Sequence, residues 1–320
     1  MKKYIAVTIG DIRGIGIHLL INEWQNRKIN NFILLTNNKI FLKYFSNIIK
    51  KYQINLINNI NRDKFDKTKF NIFNIKAYNE NQNTFESLKK SYEMTKDNLF
   101  KGIVTLPINK NKINKLNANF LDQTNFFSNL DNKKFSNMVF VYNKKFFTPL
   151  TTHIELRKVY KKFKDKKTII SKIINFNKML INDFNINKPK ILIAGINPHC
   201  GENGLISNDD KKFLNPVIYD LKKLNINITG PISGDSIINK NNLSKFDGFI
   251  FAYHDQALIP FKLISNLRGI NYTSNLDIIR VSPSHGTAKE LVKTKLANSK
   301  SLLSCFKYVN EIYKNRRKFC

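Results

Sequence analysis

Cysteine, arginine and acidic residues are all scarce in this chain, and each scarcity excludes something. Three cysteines in 320 residues, Cys200, Cys305 and Cys320, form neither an even framework nor a CxxC pair. That excludes a disulfide-stapled secreted scaffold and fits a reducing cytoplasm. No apolar run approaches the roughly 20 residues that a membrane span requires. The short run after Met1-Lys2-Lys3 closes at Asp11 and Arg13, which excludes a signal peptide. A soluble cytoplasmic protein is expected, long enough for two domains. Only 23 residues are acidic against 54 basic, a formal charge of +31. Of those 54, only 8 are Arg, whereas bidentate recognition of phosphates and bases favours Arg. The lysines are spread along the whole chain among abundant Asn, Ile, Phe and Tyr, as a drift toward A/T-rich codons produces. No clustered stripe or binding motif accompanies the charge, so no nucleic-acid partner is expected. The field still favours anionic small molecules.

What is present is an alternation of strand and helix patterns. Tyr4–Ile9 and Phe32–Thr36 read as strands, followed by a helical pattern through Leu42, Phe45, Ile48 and Ile49. Residues 84–100 keep Phe85, Leu88, Tyr92, Thr95 and Leu99 on one helical face, and a strand over 102–108 follows. The alternation continues through 169–184, 190–195, 209–224 and 226–230, which predicts α/β architecture with mostly parallel sheets. The tract Asn55–Lys69 reads as a lysine-rich surface excursion, and the basic tail after Tyr308 as a solvated face.

Ionisable residues collect where apolar runs end. The run from Phe249 closes on Tyr253-His254-Asp255-Gln256, that from Lys190 leads to His199, and that from Phe146 to His153. Ligands bind at the carboxyl ends of strands in open α/β sheets. Three histidines at such ends point to a metal site with an open position. Gly10-Asp-Ile-Arg-Gly14-Ile-Gly16 opens a helix after the first strand, but its spacing is not GxGxxG and no acidic ribose ligand follows about twenty residues on.

Six segments in order resemble one family: Gly10–Gly16, Val104–Lys110, Thr151–Arg157, Asn197–Gly204, Tyr253–Gln256 and Ser282–Ala288. That family is the 4-hydroxythreonine-4-phosphate dehydrogenases of pyridoxal phosphate biosynthesis, and the likeness runs from Ile5 to about Ala297. It implies two α/β/α domains of isocitrate/isopropylmalate dehydrogenase type, with a cleft between them completed by the partner subunit of a homodimer. Residues 1–125 with 281–320 would form the first domain and 126–280 the second. The resemblance assigns His153, His199 and His254 to one divalent cation (Zn, Mg or Co). It assigns Gln123, Thr124, Lys262, Asn271 and Arg280 to substrate, and the loop His285-Gly286-Thr287 to NAD or NADP. Asp255 and Asp235 are candidates for orienting a ligand or relaying a proton. The implied reaction is oxidation of 4-hydroxythreonine 4-phosphate to a β-keto acid that loses carbon dioxide, giving 3-amino-2-oxopropyl phosphate. A paralogue acting on threonate or erythronate phosphate is the alternative within the family, and a basic nucleic-acid-binding protein the alternative outside it.

Three departures from the family pattern stand out. Ile12 and Ile17-His18 replace a proline and a Pro-Glu pair, so His18 reads as incidental. Gln123 stands where the family carries His, and Glu290-Leu-Val-Lys-Thr-Lys295 replaces the expected glycines. Cys200 reads as a small buried side chain.

Overall fold

The computed structural model describes residues 3–49, 53–60, 62–118, 120–292, 294 and 298–318. Met1, Lys2, Lys293, Lys295, Ala297 and Cys320, named above, lie outside the described residues, as do the side chains of Ile48 and Ile49. The chain divides into two compact units, one of residues 1–131 and 276–313, the other of residues 132–275 and 314–320.

The first unit is built from β1 (Tyr4–Thr8), α1 (Ile15–Gln25), β2 (Phe32–Thr36), α2 (Asn38–Ile49), β3 (Ile54–Ile57), β4 (Phe70–Asn74), α3 (Glu80–Lys96), β5 (Phe100–Thr105), α4 (Lys110–Asn114) and α5 (Gln123–Leu130). Its strands pair in the order β3-β4-β2-β1-β5, and a later strand, Arg280–Pro283, extends the edge beside β5. All of these pairings are parallel. Every residue of β2 is buried, as expected of a strand covered on both faces. Ile33, Leu35, Phe73, Leu88 and Ile103 share one core.

Two expectations are corrected here. Helix α3 starts at Glu80, ahead of the expected 84, because the Asn79 side chain caps the Gln82 amide. Apolar periodicity does not register such a polar first turn. The excursion at 55–69 is partly ordered: Ile54–Ile57 pairs in parallel with β4 as an edge strand.

The second unit contains β6 (Met138–Tyr142), β7 (Lys145–Thr151), α6 (Val159–Phe163), α7 (Lys166–Asn182), β8 (Ile191–Ala194), α8 (Asn215–Lys223), β9 (Ile228–Ile232), α9 (Lys240–Lys245), β10 (Gly248–Tyr253), α10 (His254–Ser265) and β11 (Ile270–Thr273). The order is β11-β6-β7-β10-β8-β9, antiparallel at the first two pairings and parallel at the rest. Phe147 and Phe249 are register partners in β7 and β10, and their rings stack 5.2 Å apart. The chain then supplies β12 (Arg280–Pro283) and α11 (Lys300–Arg316). The basic tail is only partly a solvated face, since Arg316 donates to Asp183 at 2.7 Å and to the Tyr272 hydroxyl at 2.9 Å. No helix among the described residues is long and apolar enough to cross a membrane.

His18, half-buried on α1 and edge-on to Phe45 at 5.2 Å, has its pKa lowered by desolvation. The folded chain therefore binds this proton less readily than the unfolded chain. The stability involved is present above the ordinary histidine value of about 6.5 and is lost as pH falls through it. The urea midpoint is expected to drop between about pH 7.5 and pH 5.5. The His18→Gln variant should show a shallower drop, and an equal slope in the variant would contradict the assignment.

Candidate active site

In the second unit, strand β10 passes straight into α10. Tyr253 is extended (φ −144°, ψ 169°), and His254 is the first helical residue. The Gln256 side chain fixes this junction, accepting from the Ala252 amide at 2.7 Å and donating to the Gly195 carbonyl at 3.1 Å. The Nδ1 of His254 lies 2.7 Å from Asp255 Oδ1, which sets the ring's orientation and leaves Nε2 outside that contact. His153, just past the end of β7, has φ +52°, and its ring centroid lies 5.4 Å from that of His254. Both line a cavity of about 320 Å³ together with Thr151, Tyr253 and Asp255.

His199 follows β8 in an unusual backbone run. His199, Cys200, Gly201, Glu202 and Asn203 all have φ between +46° and +82°. Left-handed backbone costs a non-glycine residue roughly 1–2 kcal/mol, so such a run needs bracing. Buried Asp210 braces it, accepting from the Ile196 amide at 2.7 Å and the Asn197 amide at 3.2 Å. Burial and the nearby Asp210 raise the Cys200 thiol pKa, which disfavours a nucleophilic thiolate there. Asp235 is exposed, and its pKa is lowered chiefly by the Ser233 hydroxyl bonded to it. Within one chain the structure brings His153 and His254 together. No group of three His, Cys, Asp or Glu residues suited to a metal ion assembles among the described residues.

Lys262 is an exposed residue in the last turn of α10. Asn271 lies on β11 opposite Phe140, and its buried Oδ1 has no hydrogen-bond partner. Ile270–Thr273 is a strand of four residues, too brief for periodicity to reveal.

In the first unit, Gly10 has φ +65°, and a Cβ there would lie 2.7 Å from the Pro107 carbonyl oxygen. That close approach explains the first glycine of the segment. The Ile15 amide donates to the Thr287 carbonyl at 2.8 Å, so the segment at 10–16 and the His285 loop are joined. His285 donates from Nδ1 toward the Gly286 carbonyl at 3.0 Å, while its buried Nε2 has no hydrogen-bond partner. Desolvation lowers the pKa of this imidazole. A side chain at Gly286 would meet nothing within 4 Å.

Arg280, at the start of β12, is 2% exposed, so the guanidinium as well as its stem is buried. It donates to Thr105 Oγ1 from Nε at 3.0 Å and from Nη2 at 2.7 Å. Nη2 also donates to Gln123 Oε1. Desolvation pushes its pKa down to about 10, which still leaves a cation at neutral pH. Thr124 is buried next to Gln123 in the first turn of α5. Sequence reading missed Asp210 and Thr105 because both act through another residue. The only signal for Asp210 was an acidic pair, Asp209-Asp210, shortly after the His199 segment.

A family model described as "Pyridoxal phosphate biosynthetic protein PdxA" matches residues 28–309. The chain belongs to that family. A relative from Bacteroides thetaiotaomicron, named 4-hydroxythreonine-4-phosphate dehydrogenase, is 31% identical over 72% of this chain, which spans 64% of that relative's length. A Clostridium botulinum relative, provisionally named a D-threonate 4-phosphate dehydrogenase, is 28% identical over 94% of each chain. The crystal structure of 4-hydroxythreonine-4-phosphate dehydrogenase from Klebsiella pneumoniae superposes with a TM-score of 0.82 at 23% identity, covering 98% of this chain and 100% of that one. That last likeness concerns the fold.

The left-handed run gives a direct stability test. Glu202 is exposed and has φ +46°. Glu202→Gly should raise stability by about 0.5–1 kcal/mol, the relief of strain less the added flexibility of the unfolded chain. A lower denaturation midpoint in the variant would show that the backbone there is not strained.

Proposed function

We propose that this chain oxidises 4-hydroxythreonine 4-phosphate with a nicotinamide dinucleotide, giving a β-keto acid that loses carbon dioxide to leave 3-amino-2-oxopropyl phosphate. The observation that carries this reading is the placing of His153 and His254 side by side at the carboxyl ends of β7 and β10, inside a chain of this family. Their nitrogens suit a divalent cation, with Asp255 orienting His254 as an outer partner. His199 would be the third ligand, one histidine coming from a second copy of the chain. Exposed apolar side chains in the same unit support a homodimer. Ile259 and Leu263 lie one turn apart on α10, and Leu263 is 79% exposed; Leu205, close to His199, is 83% exposed.

When bound, the cation would lower the substrate hydroxyl's pKa and polarise the later ketone, and the dinucleotide would accept the hydride. Asp235, whose carboxylate accepts from Ser233, would take the hydroxyl proton, since Asp255 is occupied with His254. Lys262 and Arg280 would meet the anionic ends of the substrate, and the Asn271 carbonyl oxygen, unpartnered in the fold, would accept from its amine or hydroxyl. Gln123 and Thr124, in the same unit as Arg280, would contribute to substrate recognition. The unpartnered Nε2 of His285 suits a donor on the dinucleotide, with Gly286 and Thr287 forming its loop. Turnover of D-threonate 4-phosphate is the second reading. It is favoured by the near full-length Clostridium relative and by Gln123, a neutral side chain engaged with Arg280.

Purified protein with NAD, a divalent cation and 4-hydroxythreonine 4-phosphate should form NADH. Chelation should stop the reaction and re-addition of metal should restore it. His153→Ala and His254→Ala should each reduce turnover to background with the fold retained by circular dichroism. NADH formation with D-threonate 4-phosphate alone would establish the second reading. Full activity in both histidine variants would remove the metal from the mechanism.

A further inference from the structure

Three elements of the first unit meet at the Gln123 amide. Gln123 is the first residue of α5, whose N-cap is the Asp122 side chain. Its Oε1 accepts from Arg280 on β12, and its Nε2 donates to the carbonyl of Leu106, just past β5, at 3.3 Å. Thr105 completes the cradle, accepting from Arg280 while its own hydroxyl donates to the Val281 carbonyl at 3.3 Å. The guanidinium also lies over the Phe127 ring, 5.8 Å from its centroid. The Leu106 carbonyl decides which end of the Gln123 amide faces the guanidinium. Rotated the other way, the amide would set its NH₂ against the Arg280 donors, and its oxygen against another oxygen.

We propose that Gln123 is a positioning residue: its amide clamps Arg280 through a neutral oxygen, fixing the orientation of the guanidinium without cancelling any of its charge. The proposal rests on the reading of Arg280 as a partner of the substrate's anionic end, and it changes the part played by Gln123. The amide need not touch substrate; it acts through Arg280. A carboxylate at the same place would also hold the guanidinium, but it would bring a negative charge into hydrogen-bond contact with it. The attraction Arg280 exerts on a phosphate or carboxylate would then be largely neutralised. A side chain without the oxygen would leave the charge intact and hold the guanidinium less tightly, with the Thr105 and Phe127 contacts remaining. Clamp and charge can thus be removed separately.

Gln123→Glu and Gln123→Met make that separation. In Gln123→Glu the melting temperature should be retained, while KM for the phosphorylated substrate rises roughly 10-fold or more and kcat stays within about twofold. The inhibition constant of inorganic phosphate should rise by a similar factor. In Gln123→Met, KM should rise by a smaller factor, roughly threefold to tenfold. A wild-type KM and phosphate constant in folded Gln123→Glu would overturn the clamp and leave Gln123 a structural contact. If the wild type oxidises no phosphorylated hydroxy acid, the functional reading fails by itself. Calorimetric titration of inorganic phosphate into wild type and Gln123→Glu then still decides the clamp: weaker binding in the variant supports it, and equal binding overturns it.

Discussion

Strands covered on both faces leave little room for polar side chains, because each buried one needs a partner other than water. Five of the six residues in β10, and all of β2 and β8, are buried. Groups able to meet a ligand are therefore displaced to where the backbone leaves the sheet. His153, His254 and the His199 run all occupy such exits. The same constraint explains why the exits are conformationally extreme. His153 and five successive residues from His199 sit at positive φ, and the strand-to-helix passage at Tyr253 is immediate. A scaffold of parallel strands supplies the rigidity that lets a few exit residues hold unfavourable backbone angles.

Much of this was legible in the sequence. Runs such as Phe249–Tyr253 announce a buried strand through composition alone, and the ionisable cluster behind it marks the exit. The alternation of strands and helices indicated the fold class, and the ordered motifs indicated the family. Less legible were features that depend on polar residues acting locally. Asn79 moved the start of α3 by capping, and β11 was too short to show a period. The resemblance assigns Arg280 to substrate, but no local pattern shows that its guanidinium is buried against Thr105 and Gln123. Nothing in one sequence pairs residues 105, 123 and 280, since their meeting is a product of tertiary packing.

The electrostatics of the chain work at two scales. Lysines far outnumber acids overall, yet many acidic side chains are committed within the fold. Asp131 takes Lys96 and the Asp277 amide, Glu80 takes Arg13 and Tyr44, and Asp210 braces the His199 run. These pairings neutralise individual cations locally and leave the net charge of +31 unchanged. Against that background, a local neutral partner such as the Gln123 amide has more influence than its hydrogen bond alone suggests.

The anchoring of Asp183 bears on the order in which the chain acquires structure. Its buried side chain accepts from Arg316 and from Tyr272, and its carbonyl accepts from the Asn315 amide at 2.8 Å. Asn315 and Arg316 lie 132 and 133 residues beyond Asp183 in the chain. Until they emerge from the ribosome, the second unit holds a carboxylate and a tyrosine hydroxyl that lack their cationic partner. A chain made from its amino end can pre-form most of that unit's sheet, but the packing around Asp183 closes only once residues 315 and 316 have been made.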